Sequence, residues 1–176
     1  STEALEIQDI PEDLLIVGGG YIGMELGTVY ATLGSQVVVI EALGSILAGA
    51  DPDLVRPVMK YAEKNFKEVR VNTKVLKMAT SGKKVKVISE QNGAKKEEEY
   101  DKVLVSVGRK PNCEDLGLKN TKIKRDEKGF ITVDKYQQTS DPAILAIGDV
   151  AGGLMLAHKA SKEARTAVET IIGETS

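Results

Sequence analysis

A chain of 176 residues has the length for one domain, or one domain and part of another, and its formal net charge of −2 offers no basic surface to nucleic acid or to membrane headgroups. No apolar run approaches the ~18 residues of a membrane span, and no signal peptide is visible. The single cysteine, Cys113, excludes an intramolecular disulfide, fits a cytosolic setting and reads as an inert thiol.

In chain order, residues 1–12 read as a linker. Leu14–Val17 is a short apolar run suited to burial on both faces, as in a parallel sheet. Tyr21–Leu33 has a helical period, with Ile22, Leu26, Val29 and Leu33 as its apolar face, and Gly34 stands at a C-cap. Gln36–Glu41 is the next strand and completes a βαβ unit. Asp51-Pro52 starts a helix that runs to about Lys67, with Pro57 kinking it or delaying its regular part.

From Val71 the pattern changes. "TKVLKMA", "KKVKVIS" and "KKEEEYD" are separated by Ser81-Gly82 and Asn92-Gly93 and predict a three-stranded antiparallel meander, whose Lys/Glu run at 95–99 is a solvated edge. Lys102–Gly108 predicts a return to a fully buried strand. "GFITVD" and "AILAIG" predict two more strands around a Thr-Ser-Asp-Pro turn, and residues 156–172 a helix capped by Gly173. The expected class is α/β: a Rossmann-like βαβ domain with a parallel sheet and the inserted meander.

Gly18, Gly20 and Gly23 form G-x-G-x-x-G between the first strand and the first helix. In such a loop the first glycine permits the tight turn, the second lets backbone approach a pyrophosphate, and the third lets helix pack on strand. The helix N-terminus adds unpaired N–H groups and a positive dipole end. Glu41 closes the next strand 18 residues after Gly23, where an acid accepts hydrogen bonds from an adenosine ribose and repels a 2′-phosphate. That favours NAD over NADP. Glu25, between Met24 and Leu26, either faces solvent or serves a site. His158, the only histidine, shows no partner for general-base work and reads as structural. Asp149, in "AIGDV", is either a carboxylate at a strand's C-terminal edge or part of an ordinary turn.

Taken together, "VGGGYIGMELG", "VVVIEA", "VLVSVGRKPN", "GFITVD", "TSDPAILAIGDVAGG" and "MLAHKASKEA" resemble the flavin-dependent pyridine nucleotide–disulfide oxidoreductases, and among them the dihydrolipoamide dehydrogenase group. The resemblance implies an NAD-binding domain over residues 13–112 and, over 113–176, its end and a segment returning to an FAD-binding domain. It implies that Gly18, Gly19, Gly20, Tyr21 and Ile22 wrap the NAD pyrophosphate, with Gly23 behind them in the cofactor loop, and that Glu41 holds the ribose. Tyr21 would cover the nicotinamide pocket, with Glu25 beside it and Val75 near the adenine. Ser106, Val107, Gly108 and Arg109 would line the cleft. Asp149 would bind the FAD ribitol, and Met155, Leu156, Ala157 and His158 would pack along the flavin, His158 orienting rather than catalysing.

The family's Cys-x4-Cys redox pair, its FAD phosphate loop and its catalytic His-Glu pair are not in this sequence. The chain is therefore expected to be an inactive central segment of a longer enzyme, holding only part of an FAD site. The parent is expected to pass electrons from dihydrolipoamide through a disulfide and FAD to NAD⁺. It would be a homodimer in the cytoplasm or mitochondrial matrix, with a 2-oxoacid dehydrogenase complex as partner and no nucleic acid or membrane partner. An NADH oxidase, another disulfide reductase of the family and a free-standing NAD-binding module without turnover are the alternatives.

Overall fold

The computed structural model describes residues 2–174; Ser1, Thr175 and Ser176, at the ends of the expected linker and returning segment, lie outside the described residues. The chain divides into two compact units, Ser1–Gly108 and Arg109–Ser176.

The first unit is α/β. In chain order it contains β1 (Asp13–Val17), α1 (Tyr21–Thr32), β2 (Gln36–Ile40), α2 (Pro52–Asn65), β3 (Glu68–Arg70), β4 (Thr73–Ser81), β5 (Lys84–Gln91), β6 (Ala94–Tyr100) and β7 (Lys102–Val105), after a short 3-10 turn at Thr2–Leu5. A parallel sheet runs in the order β3-β2-β1-β7, and the antiparallel sheet β4-β5-β6 is the expected meander. Leu15 lies at the centre of the parallel sheet, in register with Val38 and Val103. Both faces of this sheet are covered, which is why β1 and β2 read as unbroken apolar runs. Leu14, Ile16, Val37 and Val39 pack on Met24, Tyr30, Ala62 and Phe66 of the helical side. Leu15, Val38 and Ile40 pack on Val87 and Tyr100 of the meander.

The buried stripe of α1 is not the expected one. Gly23, Met24, Gly27 and Tyr30 face inward, while Val29 and Leu33 are 50% and 53% exposed. Gly27 explains the difference: a Cβ there would stand 3.0 Å from both Ile16 Cδ1 and Phe66 Cζ. The helix lies so close to the sheet that a larger residue would have to push these side-chain ends aside, and a count of large apolar residues passes over it. Leu33 is the C-cap, and Gly34 follows at a φ of +106°.

The Asp51 carboxylate caps α2 by accepting the Asp53 N–H at 3.0 Å. The helix continues through Pro57 and ends at Asn65, sooner than expected. Strand β3, parallel to β2, was not foreseen; three residues are too few to show a period. The meander turns carry the hairpin signs: Asn92 and Gly93 both have positive φ (+51° and +80°), as a type I′ turn requires, and Gly82 alone does (+61°) in the other. Strand β7 is not fully buried. It is the sheet edge, with Leu104 buried but Val105 42% exposed.

One ionic tie joins the two sheets. Arg70, 7% exposed, meets both carboxylate oxygens of Glu98 on β6 and also Glu68. The guanidinium holds the Glu98 carboxyl down to about 2, although partial burial opposes this. A lowered acid pKa stabilises the fold above the unfolded value, and that contribution fades as pH falls toward the folded value. Glu98→Gln is accordingly expected to cost on the order of 2 kcal/mol at neutral pH, with the deficit shrinking below about pH 4.5, as urea denaturation across that range will show.

The second unit departs most from expectation. "GFITVD" and "AILAIG" form no strands and make only the isolated bridges Arg125↔Ile131 and Gln138↔Leu145. Backbone bonds such as Thr132 N–H to the Lys124 carbonyl and Ala146 N–H to the Gln137 carbonyl, each at 3.1 Å, stay isolated, and aspartates pin the turns between them: Asp126 accepts the N–H groups of Lys128 and Phe130, each at 2.9 Å, and Asp134 those of Tyr136 and Gln138. The backbone is thereby folded into pinned turns. Cys113, Ile131 and Ala146 form a small core. Helix α3 (Ala157–Ile172) ends as expected at Gly173, whose φ is +78°. Among the described residues no helix is long and apolar enough to cross a membrane.

Candidate functional site

All four strands of the first unit's main sheet run the same way, so β1, β2 and β7 end at one edge beside the N-terminus of α1. The three loop glycines have different physical reasons to be glycine. Gly18 turns at a φ of +106°, and a Cβ on it would stand 2.5 Å from the Ser106 carbonyl oxygen. A Cβ on Gly23 would stand 2.1 Å from the Gly18 carbonyl oxygen. Gly20, the N-cap, is different: its backbone is extended, no side chain caps it, and a Cβ there would meet nothing within 4 Å. The first internal bond of the helix runs from the Met24 N–H to the Gly20 carbonyl at 3.0 Å. No acidic side chain lies in its first turn. An anionic group fits such a place.

Glu41 is bound into this loop. One carboxylate oxygen accepts the Gly19 N–H at 2.7 Å and the other the Leu43 N–H at 2.8 Å. Its main chain is held as well, the N–H donating to the Arg70 carbonyl at 2.8 Å and the carbonyl accepting from the Thr73 N–H at 2.9 Å. From β7, the Ser106 N–H donates to the Val17 carbonyl at 2.8 Å and its hydroxyl to the Gly18 carbonyl at 3.0 Å. Gly18, Gly19, Gly20, Gly23, Glu41 and Ser106 are thus one connected group.

The other expected residues of this unit stand around it. Ile22 is half-buried and Glu25 exposed on α1, with Tyr21 41% exposed at its start. Val75 lies on β4, packed against the Leu15 and Val38 cluster rather than bonded to the loop. Val107 is 71% exposed, and Gly108 follows at a φ of +137°. Ile46 was missed by the sequence reading. It is fully buried, and its Cγ2 would lie 2.9 Å from a Cβ on Gly19. The Leu47 N–H beside it donates to the Gly19 carbonyl at 2.8 Å. An isolated isoleucine within "ALGSILAGA" was its only signal.

In the second unit Asp149 lies in a 3-10 turn (Gly148–Ala151) and pairs with Arg109 at 3.2 Å, both side chains being partly exposed. Glu163, also missed, holds that turn by accepting the Gly148 N–H at 2.7 Å while paired with Lys159. Met155 and Leu156 are half-buried before α3, and Ala157 and His158 are exposed in its first turn. Cys113 is buried.

Comparison with known proteins gives the chain's relatives. Residues 1–164 match the family model described as pyridine nucleotide-disulphide oxidoreductase. The chain is 43% identical over all its residues to dihydrolipoyl dehydrogenase of Staphylococcus aureus, covering 38% of that protein. It is equally identical to the Geobacillus stearothermophilus dihydrolipoyl dehydrogenase, covering 37%. Among solved structures, the Cu(II) complex of the HOCl-induced flavoprotein disulfide reductase RclA from Escherichia coli overlays with a TM-score of 0.88 at 29% identity, over 99% of this chain and 40% of that one. LpdA from Mycobacterium tuberculosis overlays with a TM-score of 0.87 at 27% identity, over 97% and 37%. The chain spans little more than a third of the curated relatives' length. It belongs to the pyridine nucleotide-disulphide oxidoreductase family.

Proposed function

We propose that the chain is the NAD(H)-binding part of a dihydrolipoamide dehydrogenase-type flavoenzyme. Gly18, Gly19, Gly20, Tyr21 and Ile22 would wrap the pyrophosphate, with Gly23 packing the loop, Glu41 on the adenosine ribose and Val75 by the adenine. Tyr21 and Glu25 would serve the nicotinamide end, and Ser106, Val107, Gly108 and Arg109 the remaining wall. The observation that carries this reading is an open, uncapped Gly20 at the helix start, in one loop with a Glu41 whose two oxygens each accept one N–H. A carboxylate has about four lone-pair sites, so Glu41 keeps acceptors for two ribose hydroxyls. Its negative charge disfavours a 2′-phosphate, which selects NAD over NADP.

Asp149 would hold the ribitol of FAD, with Met155, Leu156, Ala157 and His158 along the flavin. These residues supply only part of such a site, because the chain has one glycine-rich phosphate loop. Bound nicotinamide and flavin supply the hydride and electron chemistry, while the protein supplies position and electrostatics. By itself the chain reduces no NAD⁺ with dihydrolipoamide, and its one cysteine is buried. The parent would be a homodimer working with a 2-oxoacid dehydrogenase complex. The overlay with RclA favours a second reading of the substrate, in which the parent reduces another disulfide through the same NAD(H) domain.

Titrating NADH into the ¹⁵N-labelled chain tests the reading. The amides of Gly18, Gly19, Gly20, Ile22 and Glu41 are expected to shift together with a single dissociation constant. Shifts confined to other residues, or none at millimolar NADH, would sink it.

A further inference from the structure

The corner between β3 and β4 wraps around Glu41. The Glu41 N–H donates to the Arg70 carbonyl at 2.8 Å, the Thr73 N–H to the Glu41 carbonyl at 2.9 Å, and the Asn72 N–H to the Leu43 carbonyl at 2.8 Å. Asn72 sits at a φ of +51°, a left-handed conformation that asparagine adopts more readily than other non-glycine residues. Two side-chain grips tie the corner to the meander. Gln91 on β5 donates to the Val71 carbonyl at 2.8 Å. Arg70 reaches Glu98 on β6 with two of its nitrogens, while Lys96 pairs with the same carboxylate at 2.9 Å. A planar fork on a carboxylate fixes direction as well as distance, unlike a single contact. The carbonyl that receives the Glu41 N–H belongs to the residue whose guanidinium is gripped in this way.

We infer that Arg70 and Glu98 are positioning residues for NAD(H): by fixing the β3–β4 corner they aim Glu41 at the adenosine ribose. The inference rests on the reading of Glu41 as the ribose acid. It makes the meander a working part of the nucleotide site rather than an added layer. A purely structural tie between the sheets would behave differently, because its loss would weaken NADH binding whatever residue stood at position 41.

A double-mutant cycle separates the two. NADH dissociation constants are measured by calorimetry for the full chain, Glu98→Gln, Glu41→Ala and the double variant, with a thermal melt of each. Glu98→Gln is expected to raise the dissociation constant about tenfold in the parent background, and by less than about twofold once Glu41 is alanine, the scale of coupling within one hydrogen-bond network. Arg70→Lys, which keeps the charge and loses the fork, should give the same pattern and carries the comparison should Glu98→Gln fail to fold. An unchanged constant in both variants, or an equal loss in both backgrounds, would overturn the inference. An unchanged constant in Glu41→Ala alone would overturn the ribose reading and the inference with it. That failure is recognisable because no Glu98 or Arg70 variant enters that arm.

Discussion

Gly20→Ala is expected to cost the fold no more than about 1 kcal/mol, alanine being the poorer N-cap, and to weaken NADH binding about tenfold or more, the scale of inserting a methyl where two surfaces must touch. Gly20 has a φ of −72° and a ψ of 179°, which alanine adopts freely, and its added Cβ would have no neighbour within 4 Å. Within the chain, glycine serves there only as the N-cap of α1, where it outranks alanine. Gly23→Ala makes the opposite case. Its Cβ would fall 2.1 Å from the Gly18 carbonyl oxygen and 2.8 Å from the Ser106 hydroxyl, so α1 must move off β1. A loss of about 3 kcal/mol is expected, at the upper end of overpacking costs. Urea denaturation and NADH calorimetry on both variants check the pair. Unchanged NADH affinity in Gly20→Ala would mean that nothing approaches that backbone.

Glu41→Arg is expected to invert cofactor preference, weakening NADH and strengthening NADPH each by about tenfold, since charge-assisted hydrogen bonds contribute roughly 1.5–3 kcal/mol. The substitution also has a structural consequence that the sequence did not announce. Glu41 accepts the N–H groups of Gly19 and Leu43, and arginine accepts nothing. Stability should fall by about 1–2 kcal/mol, one modest hydrogen bond at each amide. Glu41→Gln is the control, because it keeps an acceptor for one amide and removes the charge. Titration of NADH and NADPH into each variant gives the answer; a preference that does not move with Glu41→Arg would show that Glu41 does not read the ribose.

The residues that carried strong local signals were legible in the sequence. The glycine triplet, the Asp51-Pro52 helix start and the Asn92-Gly93 turn each leave a local mark, because a backbone conformation or an unpaired N–H demands a particular residue type. Elements defined by what lies across from them left none. Strand β3 exists because β2 offers it a parallel edge. The inner face of α1 is set by the closeness that Gly23 and Gly27 allow, and periodicity weights size, so it chose Val29 and Leu33 instead. Residues 129–134 and 143–148 have strand-like composition, yet their amides reach scattered backbone carbonyls (Ile131 to Val150, Thr132 to Lys124, Ala146 to Gln137) or, at Phe130 and Ala143, the side chains of Asp126 and Asp141, and no continuous ladder forms. In the site, Gly20 and Glu41 were readable from spacing. Ile46, the Arg70–Glu98 tie and Glu163 were not, because each acts through a contact distant in sequence.

The most direct test of the account is the ratio of NADPH to NADH dissociation constants for the unmodified chain, measured by calorimetry in one buffer. With Glu41 bound into the glycine turn and Gly20 open at the helix start, the account predicts one NADH per chain and NADPH weaker by about tenfold or more. Equal affinities, or no heat of binding from NADH, would contradict it.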